Sequence, residues 1–365
     1  TCALPILSQN KILSSPPCSV EVWYLVRINS MMLRGLFCSV MGVNLVLIYG
    51  TLAERTIPKF GSDVTEFSLK YIKYNYRDGS NNSIIFNSQT LYKMFLLTYF
   101  ITTGQTRREV KTFLDLKMNY IGVVEQFRDL EGQNIPGVDD GYRIYYDSKY
   151  KLNETVQNIL GNHVVAMNFS NETAYEEIND WGENVTKGAL RTFYSYELEN
   201  DTTLLLVGIT NMKQKLNVTF VKENIVSVGF YNLSGIITHD KFYKIKGVYD
   251  YRDSDLLKSE IFKIPFENEN LFFVVFLPRK TSQITILIDS LNYTNINSEL
   301  KNMSEKEVTL RIPRIRPVTR MNMENKLSEW GLNKTLSAEA EFGAFTNRSG
   351  LLLDRITNLE NFDFH

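Results

Sequence analysis

Two apolar runs constrain the fold more than any other feature: "TTLLLVGITNM", starting at Thr202, and "LFFVVFLP", starting at Leu271. Each has the length of one strand, and neither alternates apolar with polar residues. They therefore read as central strands buried on both faces. "SQTLYKMFLLTYFITT", from Ser88, is apolar nearly all round and reads as a buried helix. A chain of 365 residues can bury elements of this kind in one large or two ordinary domains. No internal repeat and no low-complexity linker divides it, so one domain is expected over residues 54–365.

Helical and strand patterns follow one another without regular alternation. "DVTEFSLKYIKYNY" carries Val64, Phe67, Tyr71 and Ile72 on roughly one helical face. "SIIF", "GYRIYYDSKY" and "HVVAMNF" are strands, and "NETVQNILGN" is a short helix stopped by Gly161. "NETAYEEINDWGENVT" is an amphipathic helix. "EVTLRIPRIRP" alternates as a half-exposed strand, and "ENKLSEWGL" is a short helix ended by Gly331. Thr106, with Glu109 three residues on, is the expected N-cap of "RREVKTFLDL". The mixture favours α+β over a doubly wound α/β fold.

Net charge is −1, which argues against nucleic acid as a partner. Cys2, Cys18 and Cys38 are the only cysteines, so a thiol nucleophile, a Cys-ligated zinc and a disulfide framework are excluded for the body of the chain. No nucleophile elbow, metalloprotease helix, P-loop or dinucleotide fingerprint is present. His163, His239 and His365 show no metal-ligand spacing from one another, and His163 reads as an ordinary surface or capping residue. The pairs Glu176–Glu177 and Asp139–Asp140 read as solvated. Nothing calls for a metal, a cofactor or an enzymatic activity. Arg311, Arg314, Arg316 and Arg320 form a basic set that reads first as a solvated strand face and second as a site for a sulfated polysaccharide.

The beginning of the chain is unusual. Residues 1–30 mix Pro, Ser and apolar residues without period and read as upstream sequence outside the mature protein. Residues 31–53 combine Met31, Met32 and Arg34 with an apolar run from Leu36 to Tyr49 and small residues around Ala53. This is the pattern of a secretory signal peptide, too short for a membrane span. Asn-x-Ser/Thr sequons start at Asn81, Asn153, Asn168, Asn171, Asn184, Asn200, Asn217, Asn232, Asn292, Asn302, Asn333 and Asn347. Roughly five are expected by chance. The excess favours a secreted, extracellular glycoprotein.

The order of motifs carries a resemblance. "EEINDWGENVTKGAL" resembles the helix F signature of the serpins through Ile178, Asn179, Trp181, Thr186 and Gly188. "TTGQTRREV" resembles the start of serpin helix C through Gly104, Thr106 and Glu109. "LLLVGITNMKQKLNVTF" stands where serpins have the third strand of sheet A, and "FKIPFENENLFFVVFLPRK" resembles a pair of sheet B strands. "VTLRIPRIRP" and "NKLSEWGLNKTLSAEAEFGAFT" resemble the elements that follow, the latter through Ala340, Glu341 and Phe342. The matches run from about Asp63 to His365 in serpin order.

The resemblance implies a serpin fold, with eight to nine helices around three β-sheets. It also implies inhibition of a serine or cysteine protease by a reactive loop that is cleaved and then enters sheet A as a strand. "GLLLDRITNLENFDFH" falls where strand 5 of sheet A begins, and the strand reads as only begun. The reactive loop and the last strands of sheets B and C are expected beyond it, so the chain as given reads as inactive in inhibition. "LFFVVFLP" and its neighbouring strand are then expected to be uncovered, exposing several large side chains, with marginal stability. The positions that open sheet A depart from the family. Asn87 and Thr90 stand in the Ser-Pro-x-Ser stretch. Gly208 replaces an Asn, Asn358 a His, and Leu216 a Trp. Drift after loss of inhibition is one reading, and a different closed cluster is the other, in which Asn87, Thr90 and Asn358 bond to one another. The alternative function is that of a non-inhibitory secreted binding or carrier glycoprotein.

Overall fold

The computed structural model describes residues 21–23, 34–40, 43–51, 61–77, 84–194, 198–218, 225–231, 237–268, 271–313 and 318–364. The elements begin with β1 (Glu21–Trp23), β2 (Arg34–Val40), β3 (Val43–Thr51), α1 (Gly61–Arg77), β4 (Ile84–Ile85), α2 (Ser88–Ile101), α3 (Gly104–Phe113) and α4 (Tyr120–Glu131). Next come β5 (Val138–Asp147), α5 (Glu154–Leu160), β6 (Val164–Met167), α6 (Ala174–Val185), β7 (Leu204–Gln214), β8 (Ile225–Tyr231), β9 (Ile237–Ser254), β10 (Ser259–Pro265) and β11 (Leu271–Pro278). The last are α7 (Ile284–Ser290), α8 (Tyr293–Lys301), β12 (Ser304–Pro313), β13 (Val318–Asn322), α9 (Glu324–Glu329) and β14 (Leu353–Phe364).

The helix count, nine among the described residues, and the mixed architecture are those the resemblance implies. The strands form a five-stranded sheet, β13-β14-β7-β5-β6, and a nine-stranded network, β1-β12-β9-β10-β11-β3-β2-β4 with β8 on β9. The two smaller sheets of the expectation are joined because β9 is 18 residues long. Its first half pairs with β8 and its far end with β10.

Helix α2 is the centre of the core. All fourteen of its residues are buried, as its all-round apolar sequence requires. Phe67, Tyr92, Phe95 and Phe113 meet there in edge-to-face and tilted contacts, with centroids 5.0–6.1 Å apart. β7 is buried at every position but Lys213, and β11 at every position but Pro278. The edge of β11 expected to be bare is paired: β3 runs antiparallel along it from Leu271↔Thr51 to Phe276↔Val46. β2 then links β3 to β4. A central strand needs ladder partners on both edges, and "VNLVLIYGT" has the β-branched and apolar composition to supply one.

Candidate functional site

The helix α6 lies across the five-stranded sheet, and its motif residues hold it there. Ile178 is fully buried against the sheet. Asn179 Oδ1 accepts from the Phe193 and Tyr194 backbone N–H groups at 2.6 and 2.8 Å, and its Nδ2 donates to Tyr194 O at 2.7 Å. One side chain thus fastens the helix to the segment that follows it. The Trp181 ring stands 4.9 Å from the Arg143 guanidinium of β5 and edge-on to Tyr145. A Cβ at Gly141 would come within 3.0 Å of Trp181, so the helix packs this close only over a glycine. Buried Thr186 donates to Gly182 O and accepts from Leu190 N–H. Gly188, at φ +82°, closes the helix end by donating its N–H to Glu183 O at 2.8 Å.

Within the sheet, β7 and β14 pair in parallel from Leu353↔Leu204 to Phe364↔Gln214, and Asn358 sits opposite Gly208. The polar cluster under this seam is organised differently from the expectation. Asn87 Oδ1 accepts from the Thr90 backbone N–H at 3.5 Å, but among the described residues neither bonds to Asn358. Asn87 and Asn358 converge instead on Glu360, a fully buried carboxylate absent from the sequence-based set. Its Oε1 accepts from the Asn87 backbone N–H at 2.7 Å and from Asn358 Nδ2 at 2.5 Å. Asn87 also N-caps α2, its Oδ1 facing Gln89 N–H at 3.1 Å. Asn87 Nδ2 and Asn358 Oδ1 have no hydrogen-bond partner among the described residues. Thr90 belongs to a second group: it donates to Asp140 Oδ2 at 2.9 Å and accepts from Thr210 at 3.2 Å. Asp140 is therefore engaged, not solvated as its sequence suggested.

Gly208 has been filled rather than vacated. A Cβ built there would lie 2.2 Å from Met94 Sδ and 2.7 Å from Asn358 Oδ1. Leu216, buried at the end of β7, bridges to Phe266 and so ties the two sheets together. Further along β14, Tyr194 donates to Thr357 at 3.0 Å, and its ring carries the Arg320 guanidinium at 4.8 Å. Burial pushes the Tyr194 phenol up to about 12. Arg320 thus has a partner, and it sits on a different sheet from Arg311. Arg314 and Arg316 lie outside the described residues.

The motif around Gly104 is explained by the segment far along the chain that resembled its family counterpart. Glu341 Oε2 accepts from the Gln105 and Thr106 N–H groups at 2.7 and 3.2 Å, capping α3, and Lys334 bonds the same oxygen at 2.9 Å. Lys334 and these backbone groups hold the exposed Glu341 carboxyl below its ordinary value. Thr106 is therefore not the N-cap, which is Thr103. The Thr106 hydroxyl accepts from Glu341 N–H at 2.9 Å. Glu109 reaches outward to the Lys334 and Thr335 N–H groups instead of back to the helix start. Phe342 is buried and Ala340 half-buried beside the core.

Among the described residues no group of three His, Cys, Asp or Glu is placed to hold a metal, and no helix is long and apolar enough to cross a membrane. Of the sequons, Asn153, Asn168, Asn171, Asn184, Asn200, Asn217, Asn302, Asn333 and Asn347 are exposed and Asn292 is half-buried. Asn81 and Asn232 lie outside the described residues, as do residues 1–20 and 24–30 of the upstream segment and the parts of residues 31–53 not in β2 or β3.

Comparison with known proteins agrees with this geometry. Residues 62–359 match the family model described as Serpin (serine protease inhibitor). Serine protease inhibitor 88Ea of Drosophila melanogaster is 20% identical over 296 residues, covering 73% of this chain and 69% of that protein. Iripin-2 of Ixodes ricinus is 20% identical, covering 53% of this chain and 49% of its own length. The chain thus spans between half and about two thirds of these relatives. In three dimensions, uncleaved ovalbumin superposes with a TM-score of 0.73 at 16% identity, over 84% of this chain and 89% of that one.

Proposed function

The chain belongs to the serpin family, and on that premise we propose that its fold serves inhibition of a serine or cysteine protease by accepting a strand into the five-stranded sheet, an activity that needs a reactive segment following β14. The pairing of β7 with β14 carries the proposal. A segment that turns back after β14 runs antiparallel to it. Because β7 is parallel to β14, the same segment is antiparallel to β7. Entry between them replaces one parallel ladder by two antiparallel ones, which are slightly more stable per residue. The inserting segment is the one that follows β14 in the family. A polypeptide of these 365 residues has one residue beyond Phe364, so a test supplies the segment by fusion after His365. Cleavage of the fused loop should raise the thermal unfolding midpoint of the body. An unchanged midpoint after complete cleavage overturns the reading. The second reading, a non-inhibitory binding glycoprotein, is favoured by Met94 and Asn358 filling the seam at Gly208.

We also propose that residues 31–53 direct secretion and that the mature protein is an extracellular glycoprotein. The leader pattern and the exposed sequons support this independently. Cleavage near Ala53 and the pairing of β3 with β11 describe different molecules, because cleavage removes β2 and β3. N-terminal sequencing and glycosidase treatment of the product from a eukaryotic secretory host decide the matter. A product starting near residue 54 that loses mass with glycosidase is expected. A cytosolic, unglycosylated product contradicts it.

A further inference from the structure

His163 is not the ordinary surface residue its sequence context indicated. It closes the 3-10 turn Gly161–His163 between α5 and β6, and its ring is stacked on Tyr142 of β5, centroids 4.5 Å apart and planes within 6°. Phe127 of α4 meets the ring edge-on at 5.9 Å. The Nδ1 atom lies 3.0 Å from Tyr142 O, and Nε2 lies 2.5 Å from Glu131 Oε2 at the C-terminal end of α4. The other oxygen of Glu131 faces Lys93 Nζ at 3.6 Å, and Lys93, on α2, has a side chain only 5% exposed. Lys93 Nζ also stands 5.3 Å from the Tyr142 ring centroid.

Four elements therefore meet through the Glu131 carboxylate, the Lys93 ammonium, the His163 imidazole and the Tyr142 ring. Both nitrogens of His163 face oxygens that accept, a peptide carbonyl and a carboxylate. A neutral imidazole has one N–H and serves one of them; the imidazolium serves both. Burial works to raise the Glu131 pKa, but the bonds from His163 and Lys93 outweigh it and hold the group below its ordinary value. The carboxylate is thus charged across the neutral range.

We propose that Lys93, Glu131, His163 and Tyr142 form a proton-operated clamp fastening the end of α4 to strand β5. It is closed in mildly acidic solution and loosened as the imidazole loses its proton towards alkaline pH. The charged or titratable groups facing His163 are Glu131 from α4, Lys93 from α2 and Tyr142 from β5. Gln89 and Gln133, which approach one another at 3.5 Å beside the cluster, are neutral. β5 is the neighbour of β7 in the five-stranded sheet, so the clamp restrains the half of the sheet that lies on one side of the β7–β14 seam. That last consequence rests on the proposed strand insertion; the clamp itself does not.

The test uses thermal unfolding of the intact chain and of His163→Gln between pH 5.5 and 8.5, with hydrogen exchange of the α4 amides. Between pH 6 and 8.5 the wild-type midpoint should fall by about 2–4 °C more than the midpoint of His163→Gln. Exchange at the end of α4, corrected for intrinsic pH dependence, should quicken about tenfold, which is about 1.4 kcal/mol of opening free energy. The His163→Gln protein should lie at the wild type's alkaline midpoint throughout. Equal pH slopes in the two proteins overturn the clamp. Should His163→Gln not fold, the nitrogen shifts of His163 in the wild type decide: both ring nitrogens protonated at pH 7.5, where a free imidazole is mostly neutral, supports it, and a single neutral tautomer there overturns it. None of these readouts involves a protease, so failure of the clamp and failure of the inhibitory reading are separable.

Discussion

Gly208 lies directly opposite Asn358 in the parallel pairing of β7 and β14, and the space its side chain would need is held by Met94. Replacing a strand glycine by alanine ordinarily gains about 0.5–1 kcal/mol from lost unfolded-state freedom. At a contact of 2.2 Å to Met94 Sδ, overpacking should outweigh that gain. Gly208→Ala is expected to cost about 1–3 kcal/mol in denaturant unfolding. Adding Met94→Ala should return part of that loss, because the two sites share one space. A neutral Gly208→Ala would show that the seam is looser than described.

Glu360 should behave as the hub of the seam. Glu360→Ala leaves the Asn87 N–H and Asn358 Nδ2 buried without their acceptor, at about 1–3 kcal/mol each. Glu360→Gln keeps an acceptor oxygen at nearly the same volume, so it should cost much less. Equal losses in the two variants would mean that the side chain acts by volume and not as an acceptor.

Asn179→Ala should release α6 from the sheet. Two backbone N–H groups lose their acceptor, so a loss of about 2 kcal/mol or more is expected. Hydrogen exchange should show the change concentrated in α6 and the stretch around Phe193. Uniform loss across the domain would argue for a general packing role.

The pattern of what could be read in advance follows from how each residue acts. Asn179, Thr186 and Gly188 act within or just beyond one helix, so their spacing carries their role, whereas the partners of Trp181, Arg143 and Tyr145, come from β5. The fully buried α2 was legible from its apolar circumference, and β7 from its unbroken apolar run. Glu360 was not legible, because a carboxylate in an alternating strand reads as a solvent-facing residue until its partners from α2 are in place. His163 was missed for the same reason: Glu131 and Lys93 lie 32 and 70 positions away. Glu109 matched a capping box by spacing, but Glu341, brought from the far end of the chain, had taken the helix start. The partner of β11 was sought after β14, while the described pairing comes from residues 43–51.

Two titrations bound the stable range. Glu131 is held below its ordinary value near 4.5, so its contribution is complete above that value and is lost as pH falls through the lower folded value. Glu131→Gln should flatten the acid limb of stability. Tyr194, raised by burial from 10.0 to about 12, binds its proton more tightly when folded. Its contribution is complete below pH 10 and is lost between 10 and about 12. Tyrosinate absorbance in Tyr194→Phe should lack one late-titrating group, and an unchanged titration would contradict the assignment.

The central claim is that the β7–β14 seam admits a strand that carries a trapped protease with it. The most direct measurement is denaturing gel electrophoresis of the chain, bearing a donor reactive segment after His365, mixed with a trypsin-type protease. An SDS-stable band at the summed mass of the two proteins is the predicted result. Complete cleavage of the segment with no such band, at any ratio of the two proteins, would contradict the account.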